Sequence, residues 1–107
     1  MLKLTRIRKV TSGPNFHPLV FTNVERETIV DPYRDLLDAQ PILRSSREVD
    51  TDAKTHSTLF IVENLSEAKA LYRLLREHPL SIAYENLVQR CAERAGATYE
   101  TTWRLTT

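Results

Sequence analysis

The sequence has 107 residues, of which 41% are hydrophobic and 27% are charged, and its formal net charge is +1. These values are typical of one globular domain with a modest core, so we predict a single domain over residues 1–107. The longest apolar run, Leu59–Val62, is far shorter than the roughly 20 residues that cross a bilayer, and the N-terminus lacks a secretory signal's apolar stretch. We therefore expect a cytoplasmic protein with no membrane partner.

The glycine and cysteine counts exclude two further kinds of site. The sequence has two glycines, Gly13 and Gly96, whereas phosphate-binding loops need clustered glycines for close backbone approach. The one cysteine, Cys91, forms no intramolecular disulfide and falls on the apolar stripe of a predicted helix, as a small core residue does. We expect no cofactor and no small-molecule substrate.

In chain order, the first predicted element is a strand over Met1–Val10. Its apolar and polar residues alternate imperfectly, which indicates an edge strand or a bulge. Thr11–Asn15 follows as a turn, because Gly13 permits a positive φ. A short strand is predicted around Leu19–Thr22.

A helix and a hairpin are predicted next. Asp31 can cap a helix that has proline at its first position, and Pro41 ends that helix. The segments Ile42–Asp50 and Thr55–Glu63 have strand composition and are joined by a polar turn, which favours a hairpin.

The C-terminal half gives the clearest pattern, a β-α-α-β unit over Ser57–Leu105. Helical periodicity covers Glu67–His78 and Ile82–Ala95, and strand alternation covers Ala97–Leu105. We predict an α+β fold: a small antiparallel or mixed sheet of about four strands, with two amphipathic helices packed on one face.

Local signals mark the ends of the two helices. Asn64 lies three residues before Glu67, the spacing of a capping box, and Ser81 is the predicted cap of the second helix. Gly96 follows the second helix, where a left-handed conformation is common. Alternate residues of the last strand should share one face: Tyr99, Thr101, Trp103 and Leu105.

No metal site or catalytic acid pair is predicted. The candidate ligands His17, His56, His78 and Cys91 do not show the short spacing of zinc ligand pairs. The paired carboxylates are interpreted as surface charge, since no apolar pocket accompanies them.

The functional prediction is a non-enzymatic protein-binding module that acts as a homo-oligomer or as an accessory subunit of a larger assembly, of the kind phages and mobile elements encode. Residues 1–23 have four basic residues and no acidic one, whereas residues 24–40 have five acidic and two basic residues. The basic set either neutralises the acidic segment or binds an anionic partner. The predicted partner-binding residues are Lys3, Arg6, Arg8 and Lys9.

The alternative prediction is a small DNA-binding regulator with a helix-turn-helix-like pair over residues 66–95. Its second helix would expose side chains that can read bases, and the basic N-terminal strand would contact phosphate. The predicted nucleic-acid-binding residues are Asn86, Gln89, Arg90 and Arg94.

Overall fold

The computed structural model describes residues 1–15 and 20–107, except for the side chains of Asp50 and Thr51. Within this part of the chain, four antiparallel strands form one sheet: β1 (Leu2–Ser12), β2 (Ser45–Asp52), β3 (Thr55–Val62) and β4 (Thr98–Thr106). The strand order is β2-β3-β1-β4, so the first strand is central and the last lies at an edge. The sheet confirms the predicted α+β class and selects the antiparallel alternative.

The helices pack against this sheet. They are α1 (Asn23–Glu25), a π-helical segment (Arg26–Val30), α2 (Asp31–Asp38), α3 (Leu65–Glu77) and α4 (Pro79–Ala95). None of the helices in the described ranges is long and apolar enough to cross a membrane.

Strand alternation decides which side chains of the sheet meet the helices. Leu4 of β1 pairs with Phe60 of β3 and with Leu105 of β4, and both Leu4 and Phe60 are buried. The helices add fully buried side chains to the same core, including Leu71, Leu75, Leu87 and Val88. Burial of each such side chain contributes about 1.5–3 kcal/mol, so this layer supplies most of the stabilisation.

The helix ends test the local sequence signals, two of which are confirmed and one of which is wrong. The Asn64 side chain accepts a hydrogen bond from the Glu67 backbone N–H at 2.9 Å, and Gly96 ends α4 with φ of 73°, as predicted. Ser81 is not the cap of α4. Its hydroxyl donates to the Leu74 carbonyl at 2.8 Å, while His78 Nδ1 accepts from the Leu80 N–H and caps the helix.

The region before α2 differs from the prediction. Thr22 and Glu25 form a capping box that starts the helical course at Asn23, and Asp31 continues it without acting as a cap. Leu19 lies outside the described residues, and Val20 to Thr22 do not form a strand.

The edge position predicted for the first strand is wrong, because β1 pairs with β3 on one side and with β4 on the other. The predicted irregularity is a register shift between Val10 and Ser12 against β4. The hairpin of β2 and β3 is confirmed.

The two glycines differ in what surrounds them, and this gives a matched test. Both have positive φ, but a Cβ on Gly13 would lie 2.2 Å from the Gly96 carbonyl oxygen, whereas a Cβ on Gly96 meets nothing within 4 Å. We expect Gly96→Ala to lower the free energy of unfolding by about 1–2 kcal/mol through φ strain, and Gly13→Ala by about 2–4 kcal/mol because of the added clash. Urea unfolding measures both variants, and equal losses would contradict the close approach.

Candidate functional site

Two arginines occupy the helix-facing side of the central strand. Arg6 and Arg8 share the strand parity of Leu4 and Val10, and each arginine is only 3% exposed. A buried cation is costly unless it is paired and hydrogen-bonded. The candidate site therefore consists of the two guanidinium groups and the side chains that contact them.

Arg6 donates hydrogen bonds to three different elements. Its Nη1 donates to Tyr33 Oη of α2 at 3.2 Å and to Glu85 Oε1 of α4 at 3.4 Å. Its Nη2 donates to Thr58 Oγ1 of β3 at 3.3 Å, and Thr58 Oγ1 in turn donates to the Glu48 carboxylate of β2. This network joins the sheet to α2 and α4.

Glu85 is the shared counter-ion of the pair. Its Oε1 accepts from Arg8 Nη2 as well as from Arg6, whereas Oε2 makes no hydrogen bond within the described part of the chain. The Glu85 side chain is 34% exposed, in contrast to the arginines. Oε1 is thus fixed by the two arginines, while Oε2 is available to a ligand.

Aromatic rings line the remaining sides of the arginines. Arg6 Cζ lies 5.8 Å from the centre of the Tyr84 ring and 6.0 Å from that of Trp103. Tyr84 stacks on Tyr33 with a centroid distance of 4.1 Å and an interplanar angle of 7°. Such ring faces stabilise a cation without neutralising its charge.

Burial and charge shift the ionisation of these groups. Burial would lower the pKa of Arg6, but the nearby Tyr33, Glu85 and Tyr84 outweigh it and raise that pKa above its usual range. Burial raises the pKa of Tyr84, and the two arginines only partly oppose the shift. These shifts favour the charged form of Arg6 and the neutral form of Tyr84.

Each arginine retains a donor for which the described residues supply no acceptor. Arg6 Nε and Arg8 Nε are buried and lack a hydrogen-bond partner there. Buried donors in native proteins are usually paired, so both Nε groups are available to a water molecule or another acceptor.

A cavity of about 340 Å³ opens beside this cluster, between α3, α4 and β4. Leu75, Ile82 and Trp103 form its apolar walls. Its polar lining residues are Arg76, Glu85, Asn86 and Thr101. Glu85 stands between the cavity and the arginines and is the only carboxylate among these lining residues.

The predicted partner-binding residues are divided by the fold. Lys3 and Lys9 are exposed, but Arg6 and Arg8 are interior and do not present their charge to a protein partner. The cause is the central position of β1, whose inward parity includes both arginines.

The predicted nucleic-acid-binding residues are all exposed on α4, where Asn86, Arg90 and Arg94 recur every four residues along one side of the helix. Asn86 lines the cavity, Gln89 Nε2 donates to Glu93 at 3.4 Å, and Arg94 forms an ion pair with Glu25 at 3.1 Å. The fourth predicted residue, Arg90, is also exposed.

The candidate metal ligands are not brought together. His56 is buried on β3, His78 caps α4, and Cys91 is buried on α4. No group of three or more His, Cys, Asp or Glu side chains that could hold a metal ion occurs among the described residues. The fourth candidate, His17, lies outside them.

Sequence reasoning missed Glu85, Tyr33 and Thr58. Glu85 belongs to no motif, and nothing in the sequence connects it with residues nearly 80 positions away. One signal was present: Leu4 and Val10 share a parity with the two arginines, which indicates that the whole row faces the core.

No protein-family model matches this sequence, and no curated protein matches it either. Among solved structures, the chain is similar to SnoaB, a cofactor-independent oxygenase from Streptomyces nogalater, with a TM-score of 0.53 and 10% identity over 99% of this chain and 90% of that one. A point mutant of the same oxygenase matches with a TM-score of 0.52 and 10% identity, over 98% and 91% of the two chains. This likeness extends along nearly the whole chain and concerns the fold.

The likeness corrects the functional prediction. The chain was predicted to be a non-enzymatic binding module because it lacks catalytic motifs, but its fold is shared by an oxygenase that functions without a cofactor. Missing glycine loops and missing ligand spacing therefore do not exclude an enzyme with this fold.

The buried tyrosine gives this site a testable pH dependence. A tyrosine in the unfolded chain ionises near pH 10, whereas burial raises the pKa of Tyr84, so the folded protein holds that proton more tightly. The free energy of unfolding should therefore fall as the pH rises above about 10. Tyr84→Phe keeps the ring stack and should show a shallower decline in urea unfolding between pH 8 and pH 11. Identical declines in the two proteins would contradict this assignment.

Proposed function

We propose that this protein is an enzyme that binds an acidic organic compound in the Glu85 cavity and promotes its oxygenation by O₂. The observation that carries the proposal is the position of Glu85, which lines the cavity and is held by two buried arginines. The whole-chain likeness to a cofactor-independent oxygenase supports the choice of reaction.

The cavity suits a small ring compound. Its volume of about 340 Å³ is within the range of small-molecule sites, and apolar walls combined with a few polar groups are their usual lining. Trp103 offers an aromatic face, while Asn86 and Thr101 supply hydrogen-bonding groups that can orient the substrate.

Glu85 is the group placed to move a proton. Its Oε2 is free to accept a proton from an acidic C–H of the substrate, while Oε1 stays anchored to the guanidinium groups. Arg6 and Arg8 are positioning residues in this scheme, because they fix the carboxylate and stabilise negative charge as it passes to the substrate.

The proposed reaction balances with O₂ as the only co-reactant. The substrate anion transfers one electron to O₂, and the resulting radical and superoxide combine into a peroxide anion with a new C–O bond. Glu85 returns the proton, giving a hydroperoxide, and loss of water converts the original CH₂ group into C=O. One oxygen atom of each O₂ enters the product and the other leaves as water.

The test is O₂ uptake with cyclic 1,3-diketones and polycyclic phenols that carry an activated CH₂ group. We expect uptake with at least one compound, and we expect Glu85→Gln to lower kcat by about 10²-fold or more, the usual contribution of a positioned proton acceptor. Glu93→Gln, an exposed change on the same helix, is the matched control and should retain full activity.

Binding is followed separately through Trp103, the only tryptophan of the chain, which lines the cavity. Circular dichroism verifies that each variant is folded. The proposal is wrong if no compound both changes the Trp103 fluorescence and supports O₂ uptake, or if folded Glu85→Gln is as active as the parent protein.

A further inference from the structure

A second cleft lies between α3 and β4, on the other side of Trp103 from the Glu85 cavity. It has a volume of about 290 Å³ and is lined by the apolar side chains of Leu4, Leu65, Ala68, Tyr72, Trp103 and Leu105. Leu65, Tyr72 and Leu105 are 49%, 37% and 44% exposed. A contiguous exposed apolar patch of this kind is typical of a binding groove.

A wall of side chains separates the two cavities. The Tyr72 and Trp103 rings meet edge to face at 5.2 Å, and Arg76 Nη1 donates to Tyr72 Oη at 2.6 Å. Trp103 lines both cavities, whereas Glu85 lines only the first. The second cleft is therefore a separate site with its own lining.

The charge around this cleft is one-sided. Lys69 of α3 and Arg104 of β4 contribute to its lining, and no carboxylate does. Arg104 has the strand parity opposite to that of Leu105 and also lines a cavity on the other face of the sheet, so Lys69 is the cation on the helix side. Neither cation forms an ion pair within the part of the chain that the structure describes. An apolar ligand with an anionic end would match both the walls and the rim.

We propose that this cleft binds an aliphatic carboxylate, with the chain between Leu65 and Leu105 and the carboxylate beside Lys69. A cavity of about 150 Å³ holds one benzene molecule, so about 290 Å³ has room for roughly ten carbon atoms. This inference goes beyond the proposed oxygenation and does not require Glu85.

The test uses decanoate as the probe and the fluorescence of Trp103 as the signal. We expect a saturable change with decanoate, at least tenfold weaker binding of decyltrimethylammonium, and intermediate binding of decan-1-ol. This order follows from the cation at the rim, since the three probes share the same apolar chain.

Two variants and one matched control locate the site. Leu65→Gln should weaken decanoate binding at least fivefold, and Lys69→Gln should reduce the preference for decanoate over decyltrimethylammonium. Val24→Gln replaces another exposed apolar side chain, 69% exposed and outside the cleft, and should leave binding unchanged.

Three results would overturn the inference: no saturable signal, equal weakening by Val24→Gln, or weakening by Glu85→Gln without weakening by Leu65→Gln. The last result would place decanoate in the first cavity. Light scattering provides a fourth test. If the protein is a dimer that decanoate dissociates, the cleft is the contact surface of a second copy and the inference is wrong. O₂ uptake is measured independently, so failure of the oxygenation proposal leaves the binding result interpretable.

Discussion

Arg6 and Arg8 lie side by side on the inward face of the central strand, and the surrounding elements are arranged to satisfy them. Tyr33 reaches Arg6 from α2, Thr58 from β3 and Glu85 from α4. A desolvated guanidinium needs directed acceptors, so each of these contacts fixes the position of the element that supplies it. The cluster therefore sets the relative placement of the helices and the sheet, beyond what apolar packing alone specifies.

Stability alone does not account for this arrangement. Well-packed apolar residues can replace a buried ionic cluster with little loss of stability and often with a gain. Here the counter-ion is the most exposed member of the directly paired cluster, and it borders a cavity. Glu85 thus connects the two buried arginines to a cavity that a ligand can reach. Fixed charges beside a ligand are what a preorganised site requires.

The parts of this structure that could be predicted from the sequence are those set by neighbouring residues. The Asn64 cap, the Gly96 terminus and the alternation of the last strand each depend on a few consecutive positions. Strand order is not a local property. Of the two predicted alternatives for β1, an edge strand or a bulge, the edge position is therefore the one that failed. Ser81 failed for a local reason, because His78 lies just before Pro79 and supplies a competing cap.

The arginines show how one topological error becomes a functional one. A strand at the edge of a sheet can expose a basic row to solvent, whereas a central strand with helices on one face must bury the row that shares parity with its apolar residues. Once β1 is central, Arg6 and Arg8 lie in the interior, where both donate to Glu85 beside the cavity.

Missing motifs do not exclude an enzyme, on similar grounds. Short motifs report chemistry whose groups are adjacent in sequence, such as phosphate cradles and paired metal ligands. The cavity here takes Glu85 from α4, Trp103 from β4 and its arginine support from β1, so the constellation exists only after the strands have paired. For a fold of this kind, the more useful sequence signal is a pair of charged residues that share strand parity with apolar residues. Such charges face the core and have to be neutralised inside the protein. The element that neutralises them is where a site should be sought, and in this chain that element is α4 at Glu85.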